Sequence, residues 1–173
     1  TYRKNAKSKL NELFNQYYAE KGNEMNPQFL LVWLTTSMSL DKKEGTGGDP
    51  VWEVYDAVDK ICNANPSDGN GQTAEKALGL MKQYKYLDSA QLVTRSETMY
   101  TNSPEDYTVM RKCVRFLQLA NATNLSVFKE VANKLADNDL ALYSDNMESL
   151  QYVFTLYKQA GNVKGVQTVA EKM

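Results

Sequence analysis

The stretch NMESLQYVFTLYKQAGNVKGVQTVAEKM, residues 146–173, decides the fold. Met147, Leu150, Val153, Phe154 and Tyr157 recur at the three- and four-residue intervals that line one face of an α-helix. Ala160-Gly161-Asn162 is a turn, because glycine and asparagine accept the left-handed backbone that ends helices. Val166, Val169, Ala170 and Met173 then resume the period with smaller side chains. Two helices joined by so short a turn form an antiparallel hairpin, and each keeps an apolar stripe that one partner cannot hide.

The same build extends upstream. Residues 73–100 place Ala77, Leu78, Leu80, Met81 and Tyr84 on one helix, turn at Lys85 to Asp88, and place Ala90, Val93, Glu97 and Met99 on its partner. Residues 103–136 open with Ser103-Pro104-Glu105-Asp106, which reads as a helix cap. Met110, Cys113, Val114 and Leu117 then form one inner face, and Val127, Phe128, Val131, Ala132 and Leu135 the next, with Asp137 to Asp145 a connector. Stacking the hairpins of 73–173 side by side buries what each leaves bare. Residues 1–63 are less regular. Leu10, Leu13, Phe14, Tyr17 and Tyr18 share a face that stops at Gly22. Asn26-Pro27 starts a second helix, whose run Phe29 to Leu34 is apolar all round and therefore central. Asp49-Pro50 caps a third, with the stripe Val51, Val54, Tyr55, Val58, Ile61 and Cys62. No segment alternates with the two-residue period of a strand. The sequence therefore predicts an all-α single domain over 1–173, with about eight or nine helices stacked as antiparallel hairpins.

Leu156-Tyr157-Lys158-Gln159-Ala160-Gly161-Asn162-Val163, followed by Val166, Val169 and Ala170, resembles a tetratricopeptide repeat. The aromatic comes late in the first helix, glycine at the turn and small residues in the second. Met81 to Ala90 is similar, with Ala90 at the small helix-B position and Pro104 near the repeat boundary. Lys85 stands where that family uses glycine, and the 103–136 pair has no glycine at its turn. The resemblance implies a right-handed solenoid whose inner helices present a groove. The ending Glu171-Lys172-Met173 also looks like a pentatricopeptide repeat, a family of RNA binders.

Composition restricts the chemistry. The 173 residues carry 20 Lys and Arg against 21 Asp and Glu, a formal net charge of −1. That balance argues against a nucleic-acid partner, which wants a basic excess. The six-residue apolar run Phe29 to Leu34 is far below the ~20 residues of a membrane span. With no histidine, Ser/His/Asp and Cys/His catalysis and His-containing zinc sites are absent. Cys62 and Cys113 are too far apart in sequence for a redox pair, and read as buried thiols or one long-range disulfide. Gly45-Thr46-Gly47-Gly48-Asp49 lacks the lysine of a phosphate loop, and Asn63 to Gly69 lacks the closing glutamate of a calcium loop. The sequons at Asn121 and Asn124 overlap one turn. Neighbouring carboxylates (Glu53 and Asp56, Glu105 and Asp106, Asp137 and Asp139, Asp145 and Glu148) read as caps or solvated charge.

Eleven tyrosines and two tryptophans remain. Tyr86, Tyr100 and Tyr152 fall off the apolar stripes and are the candidates for lining a groove. The leading expectation is a non-catalytic binding or scaffolding module for a protein or peptide segment, without cofactor or metal. The start at Thr1, without Met or apolar leader, reads as a processed or partial chain. It favours an extracytoplasmic setting, with a ligand- or glycan-binding domain of the cell envelope as the alternative. A histidine-free hydrolase would need two converging carboxylates in a pocket.

Overall fold

The computed structural model describes residues 2–41, 49–64 and 72–173, and among them every regular element is helical. The chain is all-α. Nine α-helices follow one another among the described residues: α1 (Tyr2–Lys21), α2 (Pro27–Asp41), α3 (Asp49–Ala64), α4 (Gln72–Gln83), α5 (Ser89–Asn102), α6 (Tyr107–Leu119), α7 (Ser126–Leu142), α8 (Met147–Ala160) and α9 (Val163–Ala170). The count agrees with the eight or nine read from periodicity. No helix among the described residues is long and apolar enough to cross a membrane. The glycine-rich stretch 45–48, residues 65–69 of the calcium-like loop and the Cys62 side chain lie outside the described residues. Two compact units divide the chain, Thr1–Tyr86 and Leu87–Met173.

In the first unit α2 is central, packing against α1, α3 and α4. Its Leu30, Trp33, Leu34 and Met38 are buried, together with Trp52, Tyr55, Val58 and Ile61 of α3 and Ala77, Leu78 and Met81 of α4. The start predicted at Asn26-Pro27 is present, the Asn26 carboxamide oxygen accepting from the Gln28 N–H at 2.8 Å. Gly22 leaves α1 with φ +55°, the left-handed backbone expected of a stop. The α1 stripe is only partly used: Phe14 stacks on Trp33 with ring centroids 3.5 Å apart, while Leu13 is 50% exposed. Trp33 Nε1 and Ser37 Oγ, one turn apart on α2, are buried without a hydrogen-bond partner.

The second unit corrects three expectations. On α5 the inward residues are Leu92, Ser96 and Tyr100, not Ala90 or Glu97, which are exposed. Ser96 enters the core because its hydroxyl donates to the Leu92 carbonyl at 2.8 Å, so the helix satisfies it internally. Ser103 ends α5 and does not begin α6; the chain reverses in a turn closed by Asp106 N–H to Ser103 C=O at 3.2 Å. Asp106 then caps α6, accepting from Val109 N–H at 3.0 Å. Finally, Asp137 and Asp139 lie in α7, which continues to Leu142. Each finds a tyrosine hydroxyl from a neighbouring helix, which offsets the poor helix propensity of aspartate.

The connections repeat. Helices α4, α6 and α8 end in the same double hydrogen bond. The outer bonds run from Tyr86 N–H to Met81 C=O, Ala122 to Leu117 and Asn162 to Tyr157, at 2.8–2.9 Å. The left-handed residue of each turn is Lys85 (φ 62°), Asn121 (φ 53°) or Gly161 (φ 72°), spaced by 36 and 40 residues. Turns after α5 and α7 also match: Asn146 N–H bonds Tyr143 C=O at 3.1 Å, and Asn146 caps α8 as Asp106 caps α6.

Candidate functional site

Tyr86, Tyr100 and Tyr152 have different fates. Tyr86 belongs to the first unit, half-buried, and donates its hydroxyl to the Met38 carbonyl at 2.9 Å. Tyr100 is only 8% exposed. Its hydroxyl donates to Glu130 of α7 at 2.9 Å, and Lys134 sits 6.0 Å from its ring centre. Burial first, and the Glu130 bond next, push its pKa up to about 12. Tyr100 is thus a core residue that the sequence pattern misplaced. Tyr152 keeps a surface position, half-buried on α8.

Around Tyr152 the second unit gathers a polar surface. Burial raises the Tyr152 pKa, and the Arg111 guanidinium beside it acts in the opposite direction. Arg111 also lies over the ring of Tyr107, 5.9 Å from its centre. Tyr107 donates to Asp139 Oδ1 at 2.8 Å, and Asp139 is 5% exposed. Burial leads, and that bond follows, in raising the Tyr107 pKa to about 12. One further step along α6, Gln118 Nε2 donates to Gln159 Oε1 of α8 at 2.8 Å. In both pairs, Arg111 with Tyr152 and Gln118 with Gln159, the partners are 41 residues apart. Both link α6 with α8 at the same offset. Their shared outer strip runs from Arg111 and Tyr152, past Arg115, to Gln118 and Gln159.

Behind the strip, α7 supplies the anchors. Glu130, Asp137 and Asp139 accept hydroxyls from Tyr100 of α5, Tyr157 of α8 and Tyr107 of α6. Asp137 and Asp139 therefore hold helices together. They do not converge in a pocket as paired acids would. Glu105 meets Lys134, which also donates to the Pro104 carbonyl at 3.0 Å. Cys113 is a free, buried thiol bonded to the Ser96 carbonyl at 3.3 Å, with its pKa pushed up to about 11 by burial. Among the described residues no group of acids and cysteines could hold a metal ion.

Protein-family models, characterised proteins and solved structures offer no match to this chain. Its surfaces therefore speak for themselves. The first unit has a groove of about 590 Å³ between α2 and α4, lined by Leu31, Val32, Thr35, Lys76, Leu80 and Gln83 among others. None of its described lining residues is aromatic. The sequence did carry a signal for the α6 strip. Arg111, Arg115 and Gln118 share the i, i+4, i+7 face that flanks Met110, Val114 and Leu117.

Proposed function

We propose that this chain is a non-catalytic helical-repeat module of the tetratricopeptide-like kind, a right-handed solenoid that presents an inner-helix surface to a protein or peptide segment. The observation that carries the reading is that side chains of α6 and α8 meet at one 41-residue offset, Gln118 with Gln159 by a hydrogen bond and Arg111 with Tyr152 electrostatically. Recurrent left-handed turns at Lys85, Asn121 and Gly161 support it. Helices that recur in register expose equivalent faces side by side, and an extended segment can lie across them. Tyrosine and arginine, both frequent at the energetic centres of interfaces, occupy the middle of that face.

A peptide array followed by hydrogen exchange on the best binder tests this. The expected result is saturable binding with protection concentrated in α6 and α8. Turnover of a small substrate with no peptide bound, or protection confined to other helices, would remove the reading.

A further inference from the structure

Helix α2 is apolar all round from Phe29 to Leu34, yet the core of the first unit uses only part of that surface. Leu30, Trp33, Leu34 and Met38 are buried, whereas Val32 is 53% exposed. Val32 lines the groove between α2 and α4, and the groove has a periodic build. Its α4 wall is Lys76, Gly79, Leu80 and Gln83, at positions i, i+3, i+4 and i+7. On α2, Leu31, Val32 and Thr35 follow Gln28 at the same intervals. Four residues so spaced surround the hollow on a helix surface that receives one side chain of a neighbouring helix. Two such hollows line one cleft of about 590 Å³. Each wall runs about 10 Å, or two turns, at ~1.5 Å per residue. An extended segment, whose side chains alternate with period two, does not match hollows set at three- and four-residue intervals.

Gly79 deepens the α4 hollow. Glycine inside a helix weakens it relative to alanine, and close packing does not require one here: a Cβ at Gly79 would meet nothing within 4 Å. The space over the backbone is open to a side chain from outside, and helices approach more closely where the contact residues are small. Thr35 donates its hydroxyl to the Leu31 carbonyl at 2.8 Å, which leaves its methyl group for contact. Lys76 is the one charged residue among the described lining, and it is exposed. Among the described residues no carboxylate pairs with it. A cation at the rim of an apolar cleft is complementary to an acidic residue beside an apolar ridge.

We propose that the α2–α4 groove docks an amphipathic α-helix of a partner protein, which seats an aliphatic side chain over Gly79 and sets a carboxylate against Lys76. This site belongs to the first unit and shares no residue with the α6–α8 surface.

Fluorescence anisotropy on the full chain tests it with four labelled peptides of equal length. One is a capped helix with leucines at i, i+3, i+4 and i+7 and glutamates beside them. The second replaces those glutamates with lysine, the third breaks the glutamate helix with a central proline, and the fourth scrambles it so that no stripe forms. The glutamate helix is expected to bind at least tenfold more tightly than the proline and scrambled peptides, and more tightly than the lysine helix. Gly79→Leu fills the hollow and should weaken binding at least tenfold. The urea midpoint of the first unit should not fall with it, because leucine is a good helix former and the space is open. Lys76→Gln should weaken binding about threefold, the scale of an exposed ion pair, and flatten its salt dependence. Undiminished binding by Gly79→Leu would overturn the groove as the site. Tight binding of the proline peptide would overturn the helical occupant, and preference for the lysine helix would overturn the acidic one. Failure of all four peptides to bind would overturn the proposal outright. So would self-assembly of the chain that Gly79→Leu abolishes, since the occupant would then be a second copy. The α6–α8 reading is judged separately, by protection in α6 and α8.

Discussion

Replacing Gly165 with alanine should destabilise the protein, although helix propensity alone predicts the opposite. A Cβ at Gly165 would lie 2.6 Å from Tyr157 Cγ and Cδ1 and 2.8 Å from Cδ2. The ring or α9 must therefore give way by about 1 Å to restore ordinary contact near 3.5 Å. Tyr157 has little freedom to do so: it is 3% exposed, and its hydroxyl is tied to Asp137 at 2.5 Å. Alanine in a helix gains about 1 kcal/mol over glycine. Overpacking costs about 1–3 kcal/mol, and disturbing a hydrogen bond to a carboxylate adds about 1.5–3 kcal/mol. Together these amount to a loss of about 1.5–5 kcal/mol. Its ceiling is the release of α9, which forfeits chiefly the burial of Val169, about 1.5–3 kcal/mol for a residue of that size. Gly79 on α4 is the control, since a Cβ there meets nothing within 4 Å, and Gly79→Ala should gain about 0.5–1 kcal/mol. Tryptophan fluorescence during urea unfolding reports the first unit, where both Trp33 and Trp52 lie. Amide exchange in α8 and α9 reports the second. If Gly165→Ala slows exchange in α8 and α9, the ring yields freely and the close-approach argument is wrong.

Tyr107→Phe should destabilise the second unit by about 2 kcal/mol, because it strips a buried carboxylate, Asp139, of a hydrogen bond. Tyr143→Phe, at an exposed tyrosine, should change urea midpoints hardly at all. Lys85→Gly should raise the midpoint of the first unit by about 0.5–1 kcal/mol, since an L side chain at φ 62° costs about 1–2 kcal/mol; an unchanged midpoint would mean that the turn carries no strain. Ser37→Ala should stabilise the same unit by about 1 kcal/mol by deleting a buried hydroxyl that lacks a partner. In alkali the second unit should weaken. Tyr100 and Tyr107 titrate near 12 when folded against about 10 when unfolded, so folding keeps their protons bound. That stabilisation is whole below pH ~10 and disappears as pH climbs towards ~12. Phenolate absorbance with and without urea measures it, and superimposed titrations would contradict the burial argument.

The helices were legible because most of their signals are local. Asn26-Pro27, Gly22 and Gly161 declare starts and stops through backbone chemistry alone, and α2 announced its central place by being apolar on every side. Failures came where a polar residue is satisfied by a bond that the hydrophobic pattern does not show. The inward face of α5 was drawn on Ala90, Val93, Glu97 and Met99, whereas Leu92, Ser96 and Tyr100 point inward, Ser96 being satisfied by the Leu92 carbonyl. Asp137 and Asp139 looked like connector residues because nothing in their own segment shows the tyrosines of α6 and α8 that take them up.

The same non-locality hid the candidate strip. Its aromatic component was sought as tyrosines off the stripes, yet Tyr107, whose ring Arg111 lies over, is the first residue of its helix and falls on the spacing of Met110, Val114 and Leu117. What marks the surface is a pairing between helices: an arginine on α6 answered by a tyrosine 41 residues later, then a glutamine answered by a glutamine at the same interval. A period of that kind is invisible to residue-type matching, because the paired side chains differ in chemistry and share only register. Helices α4, α6 and α8 run 12, 13 and 14 residues and end on left-handed residues as unlike as Lys85, Asn121 and Gly161. Conformation at the turns, more than residue identity along the helices, is therefore what repeats in this chain. It also fixes where Arg111 and Arg115 stand relative to Tyr152. A one-residue insertion after Asn121 falls between α6 and α8 and should weaken the best peptide from the array, whereas one after Gly161 falls beyond both helices and should leave its binding unchanged.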